Sequence, residues 1–307
     1  MTAGHDLPAL DAAAFRALYR RLRRDRPGGA LTELTPERVA AAAREVRSGL
    51  RISLAAPVET APGPDNPDPA QHRMTGALAG EVPDEGLDFA RDRFAMNIHG
   101  DADSHLDALC HVVYDGTLYG GTDAAALTPA GAEALSVDLA RDGIVGRGVL
   151  LDIPRLRRVP WLEPGEQVGA EELAAAEAAQ QVRVGPGDLL FVRVGHRRRR
   201  AEVGPWESAT ARAGLHPGAL EFLAERRVAV LGSDGNNDTA PARTEGVDFP
   251  VHVLAVHAMG VHLLDYLQFE ELVPLCVRER RWSFLCVVAP LRLPRATGSP
   301  VNPIAVL

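Results

Sequence analysis

Short, almost wholly apolar runs alternate with helix-patterned segments through the middle and the C-terminal half of the chain. No other feature narrows the possible folds as much. "GRGVLLDIPR" reads as a buried strand through Val149, Leu150, Leu151 and Ile153, and "GAEELAAAEAAQQV" as a helix. "VGPGDLLFVRVG" sets a Pro-Gly turn before a strand running from Leu189 to Val194. "HPGALEFLAERR" is helical, "VAVLGSDG" is a short strand ending at Gly232, and "VHVLAVHAMG" is a helix that stops at Gly260. "VHLLDYL" and "WSFLCVVAPLRL" are strands again. This alternation predicts an α/β domain. Upstream, "LDAAAFRALYRRLRR" places Leu10, Phe15, Leu18 and Leu22 at helical spacing. "LTPERVAAAAREVRSG" is a helix with Thr35 as N-cap, Pro36 in the first position and Gly49 as its stop. "LRISLAAPVE" reads as a strand. The Pro-rich "TAPGPDNPDPAQHRM" is a loop long enough to suggest the mouth of a site. There is no internal repeat and no break clean enough for two domains.

Composition closes off several function classes. The net charge is -8, so no basic footprint points to nucleic acid. The one basic run, "RVGHRRRRAEVG", reads as a solvated loop. No stretch of about 18 apolar residues is present to span a membrane. The three cysteines, Cys110, Cys276 and Cys286, are too few and too irregular for a disulfide framework or a thiolate zinc site, and with no signal-like N-terminus they favour a cytoplasmic location. The chain has no lysine. That removes Schiff-base chemistry and the phosphate-binding lysine of P-loops. A lysine-free sequence rich in Ala, Arg, Gly and Pro suggests a GC-rich bacterial genome.

The densest polar stretch is "HGDADSHLDALCHVVYDG", with three histidines and four aspartates between His99 and Gly116. On an extended chain His105 and Asp107 project from one face while Leu106 and Ala108 enter the other. If a helix begins near Asp107, His111 falls one turn on. Either way two imidazoles and a carboxylate gather in a small volume. Zn and Mn take such mixtures of nitrogen and oxygen ligands. Cys110, on the opposite parity, reads as core, and Ser104 as a hydrogen-bonding support rather than a nucleophile. Downstream, "LGSDGNNDTAPA" is a turn at the C-terminal end of a strand, the end that borders ligand crevices in α/β sheets. Asp234 and Asn236 are therefore expected on the substrate side. In "PVHVLAVHAMGVHLLDYLQFEEL", His257 and His262 read as packing residues.

"DADSHLDALCH" resembles the H-x-G-T-H-x-D-x-P-x-H motif of the cyclase family of metal-dependent hydrolases, which includes kynurenine formamidase and isatin hydrolase. Ser104-His105, Asp107 and His111 match in register. Further blocks resemble the longer bacterial members, so the likeness runs from about residue 29 to 292. The resemblance implies a swivelling β/β/α domain over 29–307, preceded by an N-terminal helical extension over 1–28. It implies one or two divalent ions, Zn or Mn, and a homodimer or homotetramer acting on a small molecule. By position, His105 and Asp107 would be ligands and His111 the acid/base. His252 would be the downstream ligand, with Asp265 standing where the family has glutamate. The first motif histidine is replaced by Asp101, so either His99, two residues earlier, or Asp101 itself takes its place. The family's proline is Leu109. The reaction implied is hydrolysis of an amide, lactam or lactone by hydroxide generated at the ion. The alternative is a metal-poor cyclase, dehydratase or isomerase of a natural-product intermediate.

Overall fold

The runs that read as unbroken apolar strands occupy the middle of one sheet, where both faces are covered. The structure, a computed structural model, describes residues 7–76 and 85–307. Among these residues nine strands join this sheet: β1 (Arg51–Ser53), β2 (His105–Asp107), β3 (Ile144–Asp152), β4 (Leu189–Arg193), β5 (Val230–Ser233), β6 (His262–Asp265), β7 (Ser283–Val288), β8 (Gly298–Pro300) and β9 (Ile304–Val306). Their order is β1-β9-β7-β3-β4-β5-β6-β2-β8. β3, β4, β5 and β6 run parallel, while β7 on one side and β2 on the other are antiparallel to them. The fold is a single α/β domain.

Alternation along the strands divides the core into two layers. Val149, Leu151, Leu190, Val192, Leu231 and Leu263 pack on one face. Leu106, Leu150, Leu189, Phe191, Val230 and Leu264 pack on the other. The helix Ala12–Leu22 belongs to the first layer and buries Phe15, Leu18 and Leu22 in it. Its N-terminus is capped by Asp11, whose Oδ1 accepts from the Ala14 amide at 2.7 Å. The segment read as an extension thus shares the main core, although its first six residues lie outside those described.

Two expectations need correction. The basic run is not a solvated loop. It forms the helix His196–Val203, in which His196 and Arg197 are buried. Its residues point in different directions about 100° apart. Arg200 pairs with Asp65, its Nε 2.5 Å from Oδ2, and Arg199 lies 4.3 Å over the Trp206 ring. The Pro-rich run does not reach the site mouth either. Arg200 ties its Asp65 to the body, and Gln71–Gly76 leaves as an exposed ribbon paired with Arg91–Ala95.

Candidate functional site

Sheet register assembles the centre of the site. β2 and β6 pair antiparallel with His105 opposite Asp265 and Asp107 opposite Leu263. Directly opposed residues share a face. His105, Asp107 and Asp265 therefore all point to the first layer's side, while Leu106 and Leu264 enter the second layer. The expected alternation of His105 and Asp107 is present as a strand, and the chain then turns, the His111 amide donating to the Ala108 carbonyl at 2.9 Å. On the far side of β2 lies β8, where Gly298 opposes Asp107. A Cβ at Gly298 would stand 2.4 Å from the Leu106 carbonyl oxygen and 2.7 Å from His99 Cε1. The absent side chain is what lets the His99 ring fold in beside β2.

Asp107 is the hub. It is fully buried, and four imidazoles surround it. His99 Nδ1 is 2.8 Å from Oδ1, His105 Nε2 3.7 Å and His111 Nε2 4.0 Å. His252 Nε2 stands 3.4 Å from Asp107 Oδ2 and equally 3.4 Å from Asp265 Oδ2. Burial opposes ionisation of Asp107, but His111, His252, His99 and His105 together hold it well below the usual carboxylate range. Burial likewise raises the Asp265 pKa, with His252 opposing. His252 is raised well above the usual imidazole range, because Asp107, Asp238 and Asp265 outweigh its burial.

Hydrogen bonds behind the rings fix their orientation. His105 Nδ1 donates to the Asp103 carbonyl at 2.8 Å, which leaves Nε2 with its lone pair facing inward. His252 Nδ1 donates to Asp238 Oδ2 at 2.6 Å, which turns its Nε2 toward Asp107 and Asp265. Asp238 also accepts from the backbone amides of Val251 at 2.7 Å and His252 at 2.9 Å, so it seats the start of the helical segment Pro250–Met259 as well as the ring. Both nitrogens of His99 are engaged, Nδ1 with Asp107 and Nε2 with the Thr297 hydroxyl at 2.9 Å. His111 stacks on His99 with ring centroids 3.7 Å apart and planes 8° from parallel. Burial pushes His111 down to about 4, Asp107 opposing and the other imidazoles adding to the effect.

Two donor groups therefore share Asp107. The ligand-type atoms of His99, Asp107 and His111 lie within 4.8 Å of one another, and so do those of His105, Asp107 and Asp265. Either group could hold a metal ion. Asp101 belongs to neither: its Oδ1 accepts from the Tyr266 hydroxyl at 2.6 Å, although it still lines the cavity. Of the two candidates for the missing motif histidine, His99 is the one beside Asp107. Asn236 lines the cavity and donates to Asp265 Oδ2 at 3.0 Å. Asp234, expected beside it, turns the other way. Its carboxylate is fully buried and accepts from the amides of Val194 and Gly195 at 2.7 and 2.9 Å, so it braces the end of β4 rather than facing substrate. His257 is a packing residue, accepting from the Tyr19 hydroxyl at 2.9 Å and donating to the Thr117 carbonyl at 2.9 Å. His262 is buried with neither ring nitrogen partnered, and burial takes it down to about 4.

Asp238, Tyr266 and Thr297 are site residues that sequence reasoning missed. Asp238 had a visible signal, an aspartate in a strand-end turn next to Asn236 and Asn237. Thr297 had none, being 198 positions from the histidine it supports.

These groups open into a cavity of about 570 Å³. Its lining combines the histidines, Asp101, Asp107, Asp248, Asp265 and Asn236 with the apolar side chains of Val112, Val113, Val247, Phe249 and Val253. Phe249 is half exposed and meets His252 edge-on, with centroids 5.7 Å apart at 76°. Among the described residues that line the cavity there is no serine, cysteine or arginine.

A sequence profile described as "Putative cyclase" matches residues 32–237. Curated proteins gave no match. The crystal structure of a novel cyclase superposes with a TM-score of 0.84 at 29% identity, over 94% of this chain and 99% of that one. An isatin hydrolase bound to the product analogue thioisatinate gives a TM-score of 0.57 at 18% identity, over 89% and 99% of the two chains. Isatin hydrolase A from Labrenzia aggregata, bound to benzyl benzoate, gives 0.59 at 20% identity, over 86% and 94%. At those identities the two isatin hydrolases show a shared fold.

Proposed function

The chain belongs to the cyclase family, and from that membership we infer that it is a metal-dependent hydrolase of an amide, lactam or lactone. The observation that carries the reading is Asp107 Oδ2. This oxygen is buried, belongs to an ionised carboxylate and accepts no hydrogen bond of good geometry, its nearest cationic neighbour being His252 Nε2 at 3.4 Å. A buried anionic oxygen so incompletely satisfied costs roughly a few kcal/mol. A cation in front of it removes that cost. The inward Nε2 of His105 and, once it gives up its proton to a competing cation, that of His252, with the carboxylates of Asp107 and Asp265, make a nitrogen and oxygen donor set suited to Zn or Mn. We assign the ion to these four residues, while His99 belongs to the other donor group that shares Asp107. When bound, such an ion polarises a carbonyl and acidifies water.

The rest of the chemistry belongs to the chain's own residues. The valines and Phe249 hold an apolar substrate body and exclude water from it. A cavity of this size suits a ring-sized small molecule. His111, in the cavity lining with Nε2 free and facing Asp107, is placed to take a proton from water at that nitrogen and return it to the departing nitrogen or oxygen. Stacking on His99 fixes the plane in which it does so. With no serine or cysteine in the lining, the reading needs no covalent acyl-enzyme.

The test is metal analysis of the purified protein, followed by assays of N-formyl aryl amines, cyclic imides and aryl lactones with and without Zn or Mn. Expected is about one equivalent of metal or more and metal-dependent turnover that His105→Ala removes. Full metal-dependent turnover by that variant overturns the reading. Metal below about a tenth of an equivalent favours acid/base cyclisation or isomerisation in the same pocket.

Asp238→Asn tests the support behind His252. The amide keeps the size but no longer offers an anionic acceptor to His252 Nδ1. Affinity for Zn, measured by chelator competition, is expected to fall about 10- to 100-fold. Unchanged affinity would show that His252 is not a ligand or is not oriented by Asp238.

A further inference from the structure

Three of the four arginines in the run 197–200 have an evident partner: Arg198 pairs with Glu202, Arg199 with Glu163 and Trp206, and Arg200 with Asp65 and Glu59. Arg197 is different. Its side chain is buried, and among the described residues its guanidinium pairs with no carboxylate. It donates instead to backbone carbonyls: from Nη2 to Ala102 at 2.7 Å and to Tyr266, and from Nε to Leu267 at 3.2 Å. Burial, reinforced by Arg200, brings its pKa down to about 10, so it stays charged at neutral pH. A buried guanidinium without a counter-ion is uncommon, and its placement calls for a physical reason.

The carbonyls it joins supply one. Ala102 lies in the segment that leads through Asp103 into His105 and Asp107. Tyr266 follows Asp265 directly. These two segments carry the opposite sides of the donor set. Tyr266 sits at φ 55, a left-handed conformation that bulky residues rarely hold unaided. Its carbonyl also accepts from Ser104 Oγ at 2.6 Å, and its hydroxyl donates to Asp101. The guanidinium fork thus bridges a turn that the backbone would not favour by itself and the loop that the turn must face.

We propose that Arg197 is a positioning residue for the metal centre: by joining the Ala102 and Tyr266 carbonyls, just beyond the paired ends of β2 and β6, it holds the segments that carry His105, Asp107 and Asp265 in the register the sheet sets. The role rests on the metal-centre reading above. A planar fork with several donors on one edge can hold three carbonyls at once, whereas an ammonium on a flexible stem cannot fix the same geometry.

The experiment compares wild type with Arg197→Lys, Arg197→Met and a control, Arg193→Met. The control removes the buried guanidinium that pairs with Asp152 and Glu270, away from the cavity lining. Zn affinity is read by chelator competition, the ligand field by the visible absorption of the Co(II)-loaded protein, and folding by circular dichroism of the apoprotein. Expected for Arg197→Lys is a folded apoprotein with Zn affinity weakened by about 10- to 100-fold and shifted Co(II) bands. Arg193→Met should melt earlier and keep both metal readouts. Wild-type affinity and wild-type Co(II) bands in Arg197→Lys overturn the role. If neither Arg197 variant folds, Ser104→Ala removes the second donor to the Tyr266 carbonyl. It should shift the same bands to a lesser degree, and an unshifted spectrum then overturns the role. A wild-type protein that takes up neither ion removes the metal-centre reading, and this role with it.

Discussion

Replacing Asp107 with asparagine is expected to leave a protein that takes up no metal and has lost about 10⁴-fold in kcat/KM, the scale seen when a group on which a whole constellation depends is removed. The reason is its central position. Oδ1 faces His99, His105 and His111, and Oδ2 faces His252 across 3.4 Å. Both donor groups in the site use this one carboxylate. Asparagine fills the same space, so packing against the first layer stays as it is. What goes is the negative charge that a buried cation needs, and an amide nitrogen would point a hydrogen at either ring or ion. Metal content by mass spectrometry and turnover of whichever substrate the wild type accepts are the measurements. Retention of a full equivalent of metal by Asp107→Asn would contradict the central place given to this residue.

His111→Ala is expected to behave differently. His105, Asp107, His252 and Asp265 remain, so metal content should stay near that of wild type. kcat should fall by about 10²- to 10⁴-fold, the usual range for a lost general acid/base, with KM changed little. The ring stands where it can serve in proton transfer: largely buried in the cavity lining, its Nε2 4.0 Å from Asp107, and stacked on a second imidazole. A variant that loses its metal together with its activity would make His111 a ligand alongside His99 and remove the acid/base assignment.

The part of the site that could be read from the sequence was the part governed by local geometry. His105 and Asp107 alternate along a strand, and strand parity alone puts them on one face. The strands β3 to β7 announced themselves as apolar runs for the same kind of reason. His252 and Asp265 were reached only through family resemblance, because no local rule brings position 265 opposite position 105. That depends on an antiparallel register between strands far apart in the chain. Asp234 shows the limit of strand-end reasoning. The turn after β5 does border the cavity, yet whether a side chain there faces outward or folds back onto neighbouring amides depends on the adjacent loop, and Asp234 folds back. The arginine run failed for a related reason. Four successive charges read as solvated until a helix turns one of them beneath the site and the others toward carboxylates and an indole.

The cavity lining has a consequence for what happens after bond cleavage. Asp101, Asp107, Asp248 and Asp265 all border the space, and among the described residues no arginine does. On the proposed reading, a divalent ion taking the place of the His252 proton offsets only part of that charge. A neutral amide or lactone would then enter without electrostatic penalty, whereas its hydrolysis would give an acid whose anion meets a repulsive field from the walls. On that reading, the enclosure that favours the reactant also helps to expel the product.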